Sequence, residues 1–101
     1  MAEVRRTPQA ETDLAEILEY FHQHNPSVVE HYATAFYEKG QALARFPEIG
    51  RSRPEIAQNL RSTLVKPYVI FYRLDGDVVQ ILRILHGKRD LRSIMKAESE
   101  E

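Results

Sequence analysis

Apolar residues along this chain recur first with a helical period and then in the near-continuous runs of buried strands. Ala10, Leu14, Ile17, Leu18 and Phe21 share one face of a helix, while Glu11, Asp13, Glu16 and Glu19 take other positions. Thr7-Pro8 supplies an N-cap followed by proline at the first helical position. This helix is expected to end near His24. Asn25-Pro26 repeats the cap-plus-proline signal. Val29, Tyr32, Ala33, Phe36, Gly40 and Leu43 then form the apolar stripe of a second helix reaching about Phe46. So short a link makes residues 8–46 an antiparallel helical hairpin. Gly40 weakens the second helix by about 1 kcal/mol relative to Ala, and the expected gain is close approach to the first helix.

Phe46-Pro-Glu-Ile-Gly50 stops the second helix, and an irregular basic loop with Arg51 and Arg53 follows. A strand is predicted over 60–66, interrupted by Pro67. Residues 68–74 and 78–86 flank Asp75-Gly76, a strong hairpin signal. Both runs are almost wholly apolar, which places the pair at the centre of a sheet with the helical hairpin over one face. Residues 3–6 read as a short edge strand able to complete four strands, and residues 91–97 as a short helical turn. The pattern is α+β, one domain over 1–97 with a polar tail at 98–101.

Charge changes this picture more than composition does. Residues 1–50 carry a balance of −4, residues 51–92 one of +5, and residues 93–101 one of −2. The helical half is acidic and the sheet half basic, an argument about partners rather than fold. A net charge of −1 speaks against a dedicated duplex-DNA binder. The absence of cysteine excludes disulfides and thiolate metal sites. No apolar run approaches a membrane span or a signal peptide, so a cytoplasmic location is expected.

Three segments together resemble a known family: Thr7-Pro-Gln-Ala-Glu-Thr-Asp-Leu14, Phe46-Pro-Glu-Ile-Gly-Arg51, and Leu60-Arg61 through Tyr68-Val-Ile-Phe-Tyr-Arg73 to Ile81-Leu-Arg-Ile-Leu-His-Gly-Lys-Arg-Asp90. In this order and spacing they are similar to the ParE branch of the RelE/ParE toxins of bacterial toxin–antitoxin modules. The resemblance implies a β-α-α-β-β-β fold, with the helical hairpin packed on an antiparallel sheet. It implies a ParD-like antitoxin partner in a hetero-oligomer, and inhibition of DNA gyrase by binding. RelE-type relatives are instead ribosome-dependent mRNA endoribonucleases. No cofactor and no metal is implied.

Cleavage of the RelE kind needs a base for the 2′-hydroxyl, cations for the developing phosphorane charge and an acid for the leaving oxygen. Arg89 falls where those nucleases bind phosphate, with Lys88 and His86 beside it as the remaining candidates. Where the nucleases carry another Arg this chain has Val69, and no Phe or Tyr follows Tyr72. For antitoxin or target binding the candidates are Arg61, Lys66, Arg73, Arg83, Lys88, Arg89 and Arg92. Arg73 and Arg83 lie within apolar strands, so each is either an anion contact on the sheet face or a partner of a carboxylate or helix carbonyl. His86 is either a base or a strand-end hydrogen-bonding group. His22 and His24, two apart on a helix, face different ways and do not chelate one metal.

Overall fold

The computed structural model describes residues 1–99. In chain order these form β1 (Glu3–Arg6), α1 (Pro8–His24), a 3-10 turn (Pro26–Val28), α2 (Val29–Arg45), β2 (Arg51–Ser52), β3 (Leu60–Val65), β4 (Tyr68–Asp75), β5 (Val78–His86) and α3 (Leu91–Ser99). The strands make one sheet in the order β1-β5-β4-β3-β2. This is the expected α+β arrangement with two corrections. β1 pairs parallel to β5, so the sheet is mixed rather than antiparallel. The basic loop contributes a fifth strand, β2, only two residues long. Of the tail expected at 98–101, α3 takes in residues 98 and 99; residues 100 and 101 lie outside the described residues.

Local chemistry explains the helix boundaries. The Thr7 hydroxyl accepts the Ala10 N–H at 3.1 Å and donates to the Leu82 carbonyl at 3.0 Å, so one residue caps α1 and ties its start to β5. Asn25 does not repeat that cap. Its side chain receives the Ser27 hydroxyl, and the chain passes through a 3-10 turn before α2 begins. The β4–β5 hairpin turns on Gly76, whose φ of 61° is open to glycine at little steric cost.

Two apolar layers sandwich the sheet. On one face Ala10, Phe36 and Leu43 of α1 and α2 pack with Tyr68, Ile70, Tyr72, Val79, Ile81 and Ile84. On the other, Met95 of α3 and Ile56 of the loop before β3 pack with Leu60, Val69, Phe71 and Leu85. β4 and β5 are therefore covered on both sides, which is why their sequences lack polar alternation. Two helical expectations fail. Ala33 is exposed, and Ala35 packs against the core instead. Gly40 is not a contact with α1, because a Cβ there would meet nothing within 4 Å.

Beyond the end of β1, side chains of α1 seal the flank of β5. Thr7 takes the Leu82 carbonyl and Asp13 accepts the Ile84 N–H at 3.0 Å. β5 is bulged there: Phe71 faces Arg83 and Tyr72 faces Ile81, leaving Leu82 as the extra residue.

Candidate functional site

Four of the seven candidate cations gather at one end of the sheet. Lys66 sits in the turn joining β3 to β4, and Lys88 and Arg89 in the turn leaving β5. The two turns touch, since the Gly87 N–H donates to the Pro67 carbonyl at 2.9 Å. A Cβ at Gly87 would lie 3.2 Å from that oxygen, so glycine permits the close crossing. Arg92 follows in the first turn of α3, which Asp90 caps by accepting the Ser93 N–H at 3.3 Å. Lys66, Lys88, Arg89 and Arg92 are all exposed, and none joins an ion pair among the described residues. Among the described residues the corner is thus a patch of cations without ion-pair partners, with Asp90 beside them, on a backbone fixed by hydrogen bonds.

Of the other three, Arg83 and Arg61 are held by contacts within the fold, and Arg73 lies apart from the corner. Arg83 is 8% exposed and belongs to the core. Its Nε and Nη2 donate to the two carboxylate oxygens of Asp13 at 2.8 and 3.0 Å, a bidentate pair between β5 and α1. The carboxylate-paired reading of Arg83 therefore holds, and its reading as an exposed anion contact does not. Arg61 donates to the carbonyls of Gly50 (2.8 Å) and Glu48 (3.3 Å), pinning the loop after α2. Arg73 is half-buried, and its Nε is buried without a hydrogen-bond partner among the described residues. It stands opposite Leu60 and Gln80, on the half of the sheet away from the basic corner.

His86 has a structural task. Its Nδ1 accepts the Lys88 N–H at 3.1 Å and its carbonyl accepts the Arg89 N–H at 3.1 Å, so it shapes the turn that presents both cations. Its ring lies edge-on to Tyr68 at 5.5 Å, at the border of an aromatic cluster with Phe21, Tyr32 and Phe36. Burial pushes the Tyr68 phenol above its ordinary pKa, with Tyr32 and Tyr20 adding to the rise. Tyr68 therefore stays protonated at neutral pH. Val69 is buried beneath α3 in the cluster that holds Leu85 and Met95.

Sequence reasoning missed a second rigid feature. The Tyr72 hydroxyl donates to the Pro47 carbonyl at 2.8 Å and accepts the Gly50 N–H at 2.9 Å. Burial, the largest influence, raises its pKa, while the Gly50 hydrogen bond acts the other way. With Arg61 it holds the Phe46–Gly50 segment in one conformation while Phe46 and Ile49 stay exposed. Arg53 of the basic loop is also engaged: it pairs with Glu55 at 2.7 Å, donates to Ser62 at 3.1 Å and lies over the Phe71 ring. Apart from the Arg53–Glu55 pair, two residues apart, no local signal announces these contacts, because each partner is distant in sequence or set by the sheet register.

Comparison with known proteins places this geometry. The model of the ParE toxin of the type II toxin–antitoxin system parDE matches residues 4–91. Toxin RelE2 of Caulobacter vibrioides is 35% identical over 89 residues, covering 88% of this chain and 99% of that protein. Toxin ParE3 of the same organism is 47% identical over 49 residues, so the aligned stretch spans only 49% of that relative and 48% of this chain. Among solved structures, the chromosomal ParDE system from P. aeruginosa superposes with a TM-score of 0.71 at 26% identity, covering 85% of this chain and 96% of that one. The toxin–antitoxin complex RelBE2 from Mycobacterium tuberculosis gives 0.59 at 30% identity, covering 84% and 96%. The chain belongs to the ParE toxin family within the RelE/ParE superfamily.

Proposed function

We propose that this member of the ParE toxin family is the toxin of a cytoplasmic type II module, neutralised by a ParD-like antitoxin, and that it acts by binding DNA gyrase rather than by cutting RNA. The observation that carries the non-catalytic reading is the fate of the nuclease positions. A cation at position 69 would be needed beside Arg89 to clamp a phosphorane; the residue there is Val69, 7% exposed under α3. His86, the remaining base candidate, already commits Nδ1 to the turn. What is left is an exposed cationic corner of Lys66, Lys88, Arg89 and Arg92, suited to gripping an anionic macromolecular surface and to speeding encounter with it.

The antitoxin partner is supported by the superposed structures, both of them toxin–antitoxin systems. A disordered segment that orders on a domain this small covers much of it, which suits tight inhibition. The test is direct. Purified protein is added to a gyrase supercoiling assay and, separately, to translating ribosomes programmed with mRNA. Loss of supercoiling without mRNA cleavage is the expected result. Cleavage in the ribosomal A site, abolished by Arg89→Ala, would establish the RelE-type alternative instead, and inhibition of neither target would refute both.

A further inference from the structure

Three large apolar side chains stand uncovered together at the end of the sheet opposite the basic corner. Phe46 is 64%, Ile49 49% and Leu74 36% exposed. With Arg45, Pro47 and Glu48 they line a cleft of about 400 Å³. The fold itself imposes their exposure. The Tyr72 hydroxyl engages the Pro47 carbonyl and the Gly50 N–H, and Arg61 engages the carbonyls of Glu48 and Gly50. The polar backbone of this segment is thereby drawn to the sheet, and the side chains of Phe46 and Ile49 are left outside. A single exposed apolar residue needs no explanation, but a cluster around a cleft marks a contact surface. Because the segment is already held in one conformation, little further entropy is lost when something docks there.

We infer that a second copy of this chain docks on the patch across a two-fold axis, with Phe46 of each copy entering the cleft of the other. A two-fold interface sets the same surface on both sides, so the surface must be complementary to itself. Two features meet that condition. A protruding aromatic ring and an apolar cleft occur side by side, and a buried aromatic anchor is what such contacts are built around. The flanking charges also match. Arg45 and Glu48 are exposed, opposite in sign and three residues apart, and neither joins an ion pair among the described residues. The two-fold axis brings Arg45 of each copy to Glu48 of the other, giving a polar rim around the apolar centre. A partner of one charge sign would satisfy one of them and repel the other. Leu74 adjoins the β4–β5 turn, whereas the basic corner lies at the other end of the strands, so the two corners of a dimer stay apart and free. Three apolar side chains from each copy make a small contact, below about 1,200 Å² in total, so dimer and monomer exchange rapidly. The inference is independent of the target and the antitoxin named above.

Sedimentation equilibrium of the purified full-length chain is the test. The mean mass should rise from 11.8 kDa toward twice that value as concentration increases through the micromolar range. Phe46→Asp should weaken self-association at least tenfold with little change in thermal midpoint, because Phe46 belongs to neither core cluster. Tyr37→Ala, which removes a large exposed ring elsewhere, should leave association unchanged. Charge exchange identifies the partner as a copy. Arg45→Glu and Glu48→Arg should each weaken association severalfold, and the two together in one chain should restore it. An equimolar mixture of the two single variants should associate more tightly than either alone, since every facing pair is then opposite in sign. A mass that stays at 11.8 kDa at every concentration would overturn the assignment. So would a dimer indifferent to Phe46→Asp, one weakened by Tyr37→Ala in its place, or a mixture of the charge variants no tighter than its components.

Discussion

Removing the carboxylate of Asp13 separates a folding role for Arg83 from a binding role. In the native protein Asp13 receives two guanidinium N–H groups at 2.8 and 3.0 Å and the Ile84 N–H at 3.0 Å, all buried. Each hydrogen bond to a charged group contributes about 1.5–3 kcal/mol, so the gross loss in Asp13→Ala is about 4.5–9 kcal/mol. Relaxation and entering water recover part of it, and breaking one side of a buried ion pair leaves a net loss of about 3–5 kcal/mol. A domain of this length has roughly 5–15 kcal/mol of stability in all, so the variant should be marginal. Urea denaturation followed by circular dichroism reads this as a fall in midpoint at constant m. Replacing both partners, Asp13→Leu with Arg83→Met, should recover part of the loss, because neither charge then remains buried, while the stranded Ile84 N–H still costs about 1–3 kcal/mol. That double variant should also keep target inhibition intact. A cost below about 1 kcal/mol for Asp13→Ala would refute the energetic reasoning. A stable double variant that no longer inhibits its target would restore Arg83 as a contact residue.

Tyr72→Phe should lose about 1–3 kcal/mol in the same denaturation assay, because it strands the buried Gly50 N–H. Gly50→Ala should also be destabilising, since the added Cβ would lie 2.4 Å from the Tyr72 hydroxyl oxygen and 2.8 Å from the Ser62 carbonyl. Burial raises the folded pKa of Tyr68 and Tyr72, so their contribution is complete below the unfolded value of about 10 and fades as pH climbs through the raised values. Alkaline unfolding should therefore set in above about pH 10, and Tyr72→Phe should flatten that limb of the stability curve. Thr7→Ala should cost about 1–2 kcal/mol through the lost cap, read as a lower thermal midpoint. Replacing Lys66, Lys88 and Arg89 together by Ala should leave stability within about 0.5 kcal/mol per site. The same triple variant should slow target association and reduce its dependence on salt.

The path of the chain was legible in advance wherever local chemistry dictates it. Thr7-Pro8 marks the start of α1, the helical period of the early apolar residues predicts α1 and α2, and Asp75-Gly76 announces the β4–β5 hairpin. The gathering of Lys88, Arg89 and Arg92 after β5 also follows from adjacency alone. The parallel partnership of β1 was hidden, because a four-residue strand carries no mark of which neighbour it will meet or in which direction. β2 was hidden for the same reason. Gly40 misled because helix propensity records what a glycine costs without saying whether a neighbouring element packs against it.

What the sequence by itself determined is the succession of elements, the family likeness and the basic character of the sheet half, since period, capping and turn chemistry act over a few residues. Only the tertiary structure decided which cations are available. Arg83 and Asp13 lie 70 residues apart and meet because α1 seals the flank of β5. Arg61 is drawn to the loop after α2, while Lys66 and Lys88 are brought together by the crossing of two turns. A formal charge is a property of a residue type, but its exposure depends on what the folded chain lays beside it.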